Sequence, residues 1–466
     1  MSGTEQFEKL RSVAPGGLEK YSTARHHLKF YYNAEVAANY ILPESFALPV
    51  KDYVYRACET LIGQHPALAA IPVGEDTKKP YFVRLPQIDL DQAVSFQDRT
   101  RGFPGEDEED QELEALLKAQ HNTGFTPPYP HWRLCILTDT ANKRQFTAAY
   151  TFHHAISDGG SGMAFHRAFL QALQNSASLA SGEVKHIILP PEMPLLSSIE
   201  EVHPLPLSLW YIATAIFRAK IWSPRDPGLW TGSKIASPLE TDFRHFVCSR
   251  SMTSSFKDLC RQNDTTITAT LQTIIARSLF AHLPERYTQL QCVGAISTRR
   301  WLSGIITVDS LGCWVQDYKD THNRHESTQD SFPWSEAKRA RETIEKVLNL
   351  QGRDASLSLL KYVEDIQEEL FLSKLGKERD SSFELSNIGA MRSNHPHDPS
   401  MPQMGRMVFS QSANITGSAI EISAVTGADG CLVLCFTWQK GVVEESLISL
   451  VVQTAKAELQ GLCTDK

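Results

Sequence analysis

Two adjacent histidines, His153 and His154, are followed at a short distance by Asp158 and by two glycines, Gly159 and Gly160. An imidazole is neutral near pH 7 and can take a proton from an incoming hydroxyl or amine. The aspartate can turn inward to an arginine and fix the shape of the loop. The glycines allow sharp backbone turns and leave space near an imidazole. This run of residue types predicts a site of proton transfer.

The segments on either side of this run favour a catalytic loop over ordinary polar surface. An apolar, β-prone stretch at 146–152 precedes it, and an amphipathic segment beginning at Met163 follows it. A loop between a strand and a helix can hold a side chain rigidly and still leave it accessible. A histidine pair in a loop is usually surface, but the second histidine, the Asp-Gly-Gly continuation and this setting together favour catalysis.

The composition limits the class of protein. A chain of 466 residues exceeds the usual size of one hydrophobic core, so two domains are expected. With 42% hydrophobic and 21% charged residues it is typical of globular proteins, and a net charge of −8 without a basic stripe disfavours nucleic-acid binding. The nine scattered cysteines form no Cys-x-x-Cys pair, and the first residues lack a secretion signal. These features predict reduced thiols and a cytoplasmic protein.

No metal site and no membrane span are expected. His322 and His325 lack a second ligand pair, and the histidines at 322, 325, 395 and 397 are interpreted as loop residues. The most apolar stretch, 205–222, is shorter than the ~20 residues that a span requires, and it contains two basic residues. We expect it to pack across a domain junction, with contact to a membrane surface as the alternative.

Both halves of the chain contain predicted strands and helices, and a proline- and glycine-rich segment separates them. The predicted domains are 1–195, a linker or crossover at 196–235, and 236–466. Strands are predicted at 30–42, 71–83, 132–137, 146–152, 243–249, 290–296, 310–315, 383–388, 406–411, 419–425 and 432–438. Helices are predicted at 50–63, 113–120, 335–350, 354–375 and 444–462, with another beginning after Asp264 or Thr265.

At His153-His154-x-x-x-Asp158-Gly159 the chain resembles the acyl-CoA-dependent acyltransferase superfamily. This superfamily includes chloramphenicol acetyltransferase, the plant BAHD enzymes and the condensation domains of peptide synthetases. Over residues 19–440 the pattern is most similar to the fungal alcohol acetyltransferase family, and the plant Asp-Phe-Gly-Trp-Gly signature is missing. The stretches that support this resemblance, in their expected order, are 19–34, 65–68, 130–134, 311–315, 386–389 and 409–412.

The resemblance implies an α/β (α+β) fold of two chloramphenicol-acetyltransferase-like sandwich lobes with an active-site tunnel between them. Acyl-CoA, acetyl-CoA above all, and the acceptor would enter from opposite faces and meet at His154. There His154 would act as general base in a direct transfer without a metal, while His153 packs and forms hydrogen bonds. Asp158 would pair with Arg299 or Arg300.

Two further sets of residues follow from the resemblance. Arg300 is preferred as the partner of Asp158, because it precedes the apolar pair Trp301-Leu302 as the family's arginine does. The donors that stabilise the tetrahedral oxyanion are expected among Asn387, Ser410 and Gln411.

The predicted function is O-acyl transfer, chiefly acetyl transfer, to a hydroxyl of a small alcohol or a secondary metabolite. The protein is expected to act as a monomer. Three alternatives remain open: amide formation on an amine acceptor, other proton-transfer chemistry by the same histidine, and a non-catalytic binding protein on the same scaffold.

Overall fold

The computed structural model describes residues 7–13, 17–220, 225–302, 304–328, 331–392 and 398–464. The strands in these ranges are β1 Glu8–Ser12, β2 Ala34–Ile41, β3 Ala70–Val73, β4 Tyr81–Arg84, β5 Ile88–Asp89, β6 Val94–Asp98, β7 Trp132–Thr138, β8 Gln145–Phe152, β9 Ile187–Ile188, β10 Thr241–Cys248, β11 Gln289–Ser297, β12 Val315–Asn323, β13 Phe383–Ala390, β14 Gln403–Gln411, β15 Ile420–Thr426 and β16 Leu432–Gln439.

The α-helices are α1 Leu18–His27, α2 Val50–Gln64, α3 Leu90–Ala93, α4 Gln111–His121, α5 Gly159–Gln174, α6 Ile199–Val202, α7 Leu209–Lys220, α8 Arg250–Gln262, α9 Ile267–His282, α10 Arg324–Ser327, α11 Trp334–Leu350, α12 Ile366–Leu370 and α13 Glu445–Thr464. Short 3₁₀ turns lie at Pro66–Ala69, Ser181–Glu183, Thr298–Trp301, Ser356–Tyr362 and Leu372–Lys374.

The first lobe is built on a five-stranded sheet of order β14-β2-β8-β7-β6. Helices α2 and α5 pack on it, and the ring of Phe165 in α5 stacks on Tyr150 of β8 with 3.8 Å between ring centroids. Strand β14 comes from the second half of the chain and pairs antiparallel with β2. The first lobe therefore contains one strand from the second half of the chain.

The second lobe is built on a six-stranded sheet of order β10-β16-β15-β13-β11-β12. Ile420 and Ile422 of β15 lie in a core with residues of α9 and α13. Because strand side chains alternate between faces, Glu421 points away from these helices. A separate apolar cluster joins the two lobes, with Ala37 and Ala149 of the first sheet and Val433 of the second. Two mixed lobes confirm the expected α/β fold.

The predicted strand at 310–315 is wrong, because residues 310–314 form a loop and β12 begins at Val315. The apolar residues of this loop are buried, and a short apolar run in the sequence is also typical of a buried strand. The predicted helix at 354–375 is also wrong: α12 is flanked by two 3₁₀ turns. Asp365 caps α12 and starts a new helix there.

Predictions about the histidines at 322 and 325 and about one apolar stretch also change. His325 lies in α10 rather than in a loop. His322 lies near the end of β12, fully buried and hydrogen-bonded to Glu336, rather than in a loop. The histidines at 395 and 397 lie outside the described residues. Within the apolar stretch predicted at 205–222, Leu209–Lys220 form α7, and 221–222 lie outside the described residues. Trp210 of α7 is 79% exposed, so the helix does not bury all of its apolar side chains at a junction. Among the described residues no helix is both long and apolar enough to cross a membrane.

Candidate active site

The His153–Gly159 run lies where the sequence predicts, in the loop that joins β8 to α5. Strand β8 is almost entirely buried, which fixes the start of the loop. Asp158 is the N-cap of α5, and its Oδ1 accepts a hydrogen bond of 2.8 Å from the backbone N–H of Ser161. A carboxylate at this position satisfies a free N–H and lies favourably against the helix dipole.

Asp158 is fully buried and binds Arg299 of the second half of the chain. Nη1 of Arg299 donates to Oδ2 at 2.7 Å, and Nη2 donates to Oδ1 at 2.8 Å. The backbone N–H of Trp314 donates to Oδ2 at 2.9 Å. Burial alone would raise the pKa of Asp158, but the Arg299 guanidinium and these N–H groups hold it below its ordinary value. The carboxylate thus joins the loop to both lobes.

The preference for Arg300 as the partner of Asp158 is wrong. Residues Thr298–Trp301 form a 3₁₀ turn, so consecutive side chains point in different directions. Arg299 is 7% exposed and faces Asp158, whereas Arg300 lies at the surface. The sequence limited the partner of Asp158 to two adjacent arginines. Which of them faces Asp158 depends on how the turn at Thr298–Trp301 orients their side chains.

Gly159 and Gly160 are needed for close packing in the first turn of α5. A Cβ on Gly159 would lie 2.4 Å from Cγ2 of Ile388, and one on Gly160 would lie 2.8 Å from Nη1 of Arg299. Neither residue has a positive φ. Their small size therefore lets the second half of the chain approach the loop, instead of allowing a special backbone conformation.

His154 is half-buried, and its two ring nitrogens have different surroundings. Nδ1 lies 3.4 Å from Sγ of Cys313, and the ring centroid lies 5.9 Å from that of Tyr31. Within the described part of the chain, Nε2 has no hydrogen-bonding partner. Burial and then the positive charge of Arg25 lower the pKa of His154 to about 3, against an opposing effect of Asp158. A neutral imidazole with a free Nε2 can accept a proton from a bound ligand.

His153, next to it, has a neighbouring polar group at each ring nitrogen, although only the contact at Nδ1 has regular hydrogen-bond geometry. Its Nδ1 accepts a hydrogen bond of 2.9 Å from the N–H of Ala155, so in the neutral ring the proton is on Nε2, 3.0 Å from Glu75. Glu75 also lies 2.8 Å from Nδ1 of His26. Although burial opposes this, His153 and His26 lower the pKa of Glu75 well below its usual range. His153 thus fixes the loop, and Glu75 is a site residue that the sequence analysis missed.

His26, Glu75 and His153 are close enough together to be considered as metal ligands. The donor set does not fit that role, however. Nε2 of His26 accepts a hydrogen bond from the N–H of Phe125, as Nδ1 of His153 does from Ala155. With these nitrogens used as acceptors, the nitrogens facing Glu75 carry the protons and have no lone pair for a metal.

The three predicted oxyanion donors do not lie together. The Nδ2 of Asn387 donates to Thr268 on α9 at 3.1 Å, on the helix-covered side of the second sheet. The hydroxyl of Ser410 is 2.8 Å from Nε2 of His121 and fully buried. Gln411 donates one amide N–H to Glu384 at 3.1 Å, which leaves it a second N–H. Ser410 is therefore unsuited to the role, whereas Asn387 and Gln411 each keep one amide N–H among the described contacts, and their role as oxyanion donors stays a prediction.

Comparison with known proteins gives a consistent result over nearly the whole chain. The family model for alcohol acetyltransferase matches residues 14–453. A probable alcohol acetyltransferase, crmB, from Aspergillus fumigatus is 35% identical over 95% of this chain and 98% of its own length. Another, FCK4, from Fusarium pseudograminearum is 24% identical over 96% of this chain and 94% of its own length.

Two solved structures share the fold at low sequence identity. The TRI3 trichothecene 15-O-acetyltransferase from Fusarium sporotrichioides has a TM-score of 0.70 at 14% identity, covering 96% of this chain and 94% of that protein. The first condensation domain of the calcium-dependent antibiotic synthetase has a TM-score of 0.65 at 13% identity, covering 96% of each chain.

Proposed function

This chain belongs to the alcohol acetyltransferase family, and we propose that it transfers an acetyl group from acetyl-CoA to a hydroxyl of a small-molecule acceptor, with His154 as general base. The observation that carries the proposal is the contrast between the ring nitrogens of His154. Nδ1 faces Cys313, while Nε2 has no partner among the described residues. The unoccupied nitrogen is the one that can meet an acceptor hydroxyl.

In the proposed reaction the acceptor oxygen attacks the thioester carbonyl as its proton passes to Nε2 of His154. The carbonyl becomes a tetrahedral oxyanion, and the C–S bond then breaks. The sulfur leaves with the proton from the imidazolium, which gives an ester and CoA and restores the neutral base. With a pKa of about 3, the imidazole of His154 is a weak base in the free enzyme. The negative charge that develops beside it favours the imidazolium and offsets the cost of burial.

Transfer is proposed to be direct, with both substrates bound at the same time. Holding them together can supply roughly 7–11 kcal/mol of the barrier in well-oriented cases. The thiol of Cys313 lies beside His154, but burial raises its pKa well above the ordinary value, which disfavours the thiolate that a covalent route needs. Ser157 and Ser161 of the loop are both fully buried and serve packing and hydrogen bonding.

The experiment is incubation of the full chain with acetyl-CoA and a panel of hydroxyl compounds, each with its amine analogue, followed by mass spectrometry of the products. Ester products and intersecting initial-rate patterns are expected, with no change in protein mass after exposure to acetyl-CoA alone. Acetylated Cys313 together with parallel rate patterns would contradict direct transfer. Amide products alone would replace the O-acyl assignment by amide formation.

A further inference from the structure

Three buried polar side chains, Arg25 and Tyr31 beside His154 and Glu421 on the second sheet, have hydrogen-bonding groups that the protein leaves unused. Arg25 is 8% exposed, and among the described residues its guanidinium forms no ion pair and no hydrogen bond. Tyr31 is 3% exposed, with an unpartnered hydroxyl. Glu421 is 2% exposed; its side chain lies close to that of Glu384, but neither of its carboxyl oxygens has a hydrogen bond of regular geometry. A buried polar atom without a partner costs about 1–3 kcal/mol, and more when it is charged. A ligand that binds these groups removes that cost.

The two groups of the first half lie next to the base. The Arg25 guanidinium lies over the Tyr31 ring, with Cζ 3.8 Å from the ring centroid, and the Tyr31 ring is 5.9 Å from the ring of His154. Stacking on Tyr31 holds the plane of the guanidinium and leaves its N–H edge for a ligand oxygen. Such an edge binds carboxylate and carbonyl oxygens well.

Glu421, on the second sheet, offers hydrogen-bond acceptors, whereas Arg25 offers donors. It is the register neighbour of Glu384 on the adjacent parallel strand, on the face away from α9. Glu384 receives a hydrogen bond from Gln411 of β14, so this face points towards the first lobe. Burial, and then the charge and the nearby side chain of Glu384, raise the pKa of Glu421; Arg379 and, less strongly, Arg25 oppose the rise. Arg25 and Glu421 therefore lie within electrostatic reach of one another but beyond ion-pair distance.

We propose that Arg25, Tyr31 and Glu421 form the binding subsite for the acceptor alcohol. The acceptor then carries a carbonyl or carboxylate oxygen that binds Arg25, and an N–H or O–H that binds Glu421, close to the hydroxyl that is acetylated. This inference rests on the proposed acetyl transfer and names its substrate class: a densely functionalised hydroxy-carbonyl compound. A plain alkanol satisfies none of the three unused groups.

The test compares β-hydroxybutyramide, β-hydroxybutyrate and sec-butanol as acceptors for the wild type and the Arg25→Met and Glu421→Gln variants. For Arg25→Met the KM for both carbonyl compounds should rise about 10- to 100-fold, the range expected for a hydrogen bond to a charged group. The KM for acetyl-CoA should stay within about twofold, and kcat/KM with sec-butanol should fall less than kcat/KM with either carbonyl compound, because sec-butanol offers Arg25 no carbonyl oxygen. Glu421→Gln should raise the KM for β-hydroxybutyramide less, by about three- to tenfold.

Arg300→Met is the matched control, because it removes an arginine at the surface and should change none of these values. Calorimetric binding of β-hydroxybutyramide to wild type and Arg25→Met is measured without turnover, so it separates this inference from the proposed function. Equal losses with sec-butanol, or a rise in the KM for acetyl-CoA alone, would overturn the subsite. Failure of the wild type to acetylate any hydroxyl, with binding intact and dependent on Arg25, would overturn only the proposed reaction.

Discussion

The two ends of the His153–Asp158 loop differ in how fully the protein satisfies their polar groups. At one end the Asp158 carboxylate receives hydrogen bonds from Arg299, Ser161 and Trp314. At the other end Nε2 of His154 has no partner in the described part of the chain, and the nearby guanidinium of Arg25 has none either. A side chain whose hydrogen-bonding groups are all used within the protein stabilises the local structure. A buried side chain with unused hydrogen-bonding groups can bind a substrate. The same short motif thus combines a structural anchor with the side chain proposed as the base.

This difference also separates the motif from a Ser-His-Asp triad. There the aspartate accepts a hydrogen bond from the base and sets its tautomer. Here the carboxylate is bound to Arg299, and the neighbour of Nδ1 of His154 is Cys313. The contacts of the aspartate fix the loop that carries His154.

The largest effect is expected at His154. His154→Ala should lower kcat by about 10²–10⁴-fold because it removes the proposed general base, with thermal stability and acetyl-CoA binding nearly unchanged. His153→Ala is the matched control on the adjacent residue and should cost less activity, since its ring is bound to Glu75. Steady-state rates and a binding isotherm check both. If His153→Ala proves the more damaging variant, the two histidines have exchanged roles.

At Asp158 and Arg299 the main effect should be on stability. Arg299→Met leaves the fully buried Asp158 without its cation, and breaking such a pair costs about 3–5 kcal/mol of the free energy of unfolding. Asp158→Asn should lower both stability and activity, because the loop loses its anchor. Arg300→Met should change neither. Denaturant unfolding measures these differences, and a loss on Arg300→Met equal to that on Arg299→Met would contradict the pairing.

The sequence predicted the local part of this arrangement and missed the long-range part. β8, the loop and α5 follow from a β-prone run, a break and an amphipathic segment, all within thirty residues. The partner of Asp158 could be narrowed to two arginines, but the turn at Thr298–Trp301 decides between them. Arg25 belongs to a segment singled out by the resemblance, yet its position beside His154 depends on how α1 packs. Glu75 and Glu421 carried no local signal, because their positions beside other polar groups depend on how distant segments of the chain pack together.

A smaller effect is expected at Cys313, which contacts His154 and directly precedes Trp314, the backbone donor to Asp158. Cys313→Ala removes the neighbour of Nδ1 of His154 and should lower kcat by about three- to tenfold through a less well-held ring. Cys313→Ser keeps a small polar group there and should recover most of the rate. Single-turnover kinetics check both variants. Complete loss in both would show that the thiol itself reacts and would contradict direct transfer.

The smallest effect is expected in the pH profile. Burial and Arg25 lower the pKa of His154 to about 3, so the free base is already neutral at pH 5 and above. Hence kcat/KM, which reports the free enzyme, should show no break near pH 6.5, the ordinary histidine value. Stability should behave differently. His153 and His154 stay neutral in the folded state down to pH of about 4 and 3, whereas the unfolded chain takes up protons below about 6.5. The free energy of unfolding should therefore fall as the pH drops from 6.5 towards 4.

Rates must accordingly be read within seconds of a pH jump, before unfolding intervenes. Arg25→Met should move the acidic limb upward only slightly, because burial is the larger cause of the low pKa of His154. A limb near pH 6.5 in the wild type would mean that His154 is hydrated like a surface residue. His154 would then be an ordinary surface histidine. The proposed contrast between a half-buried His154, with Nε2 unpartnered among the described residues, and a fully hydrogen-bonded Asp158 would be contradicted.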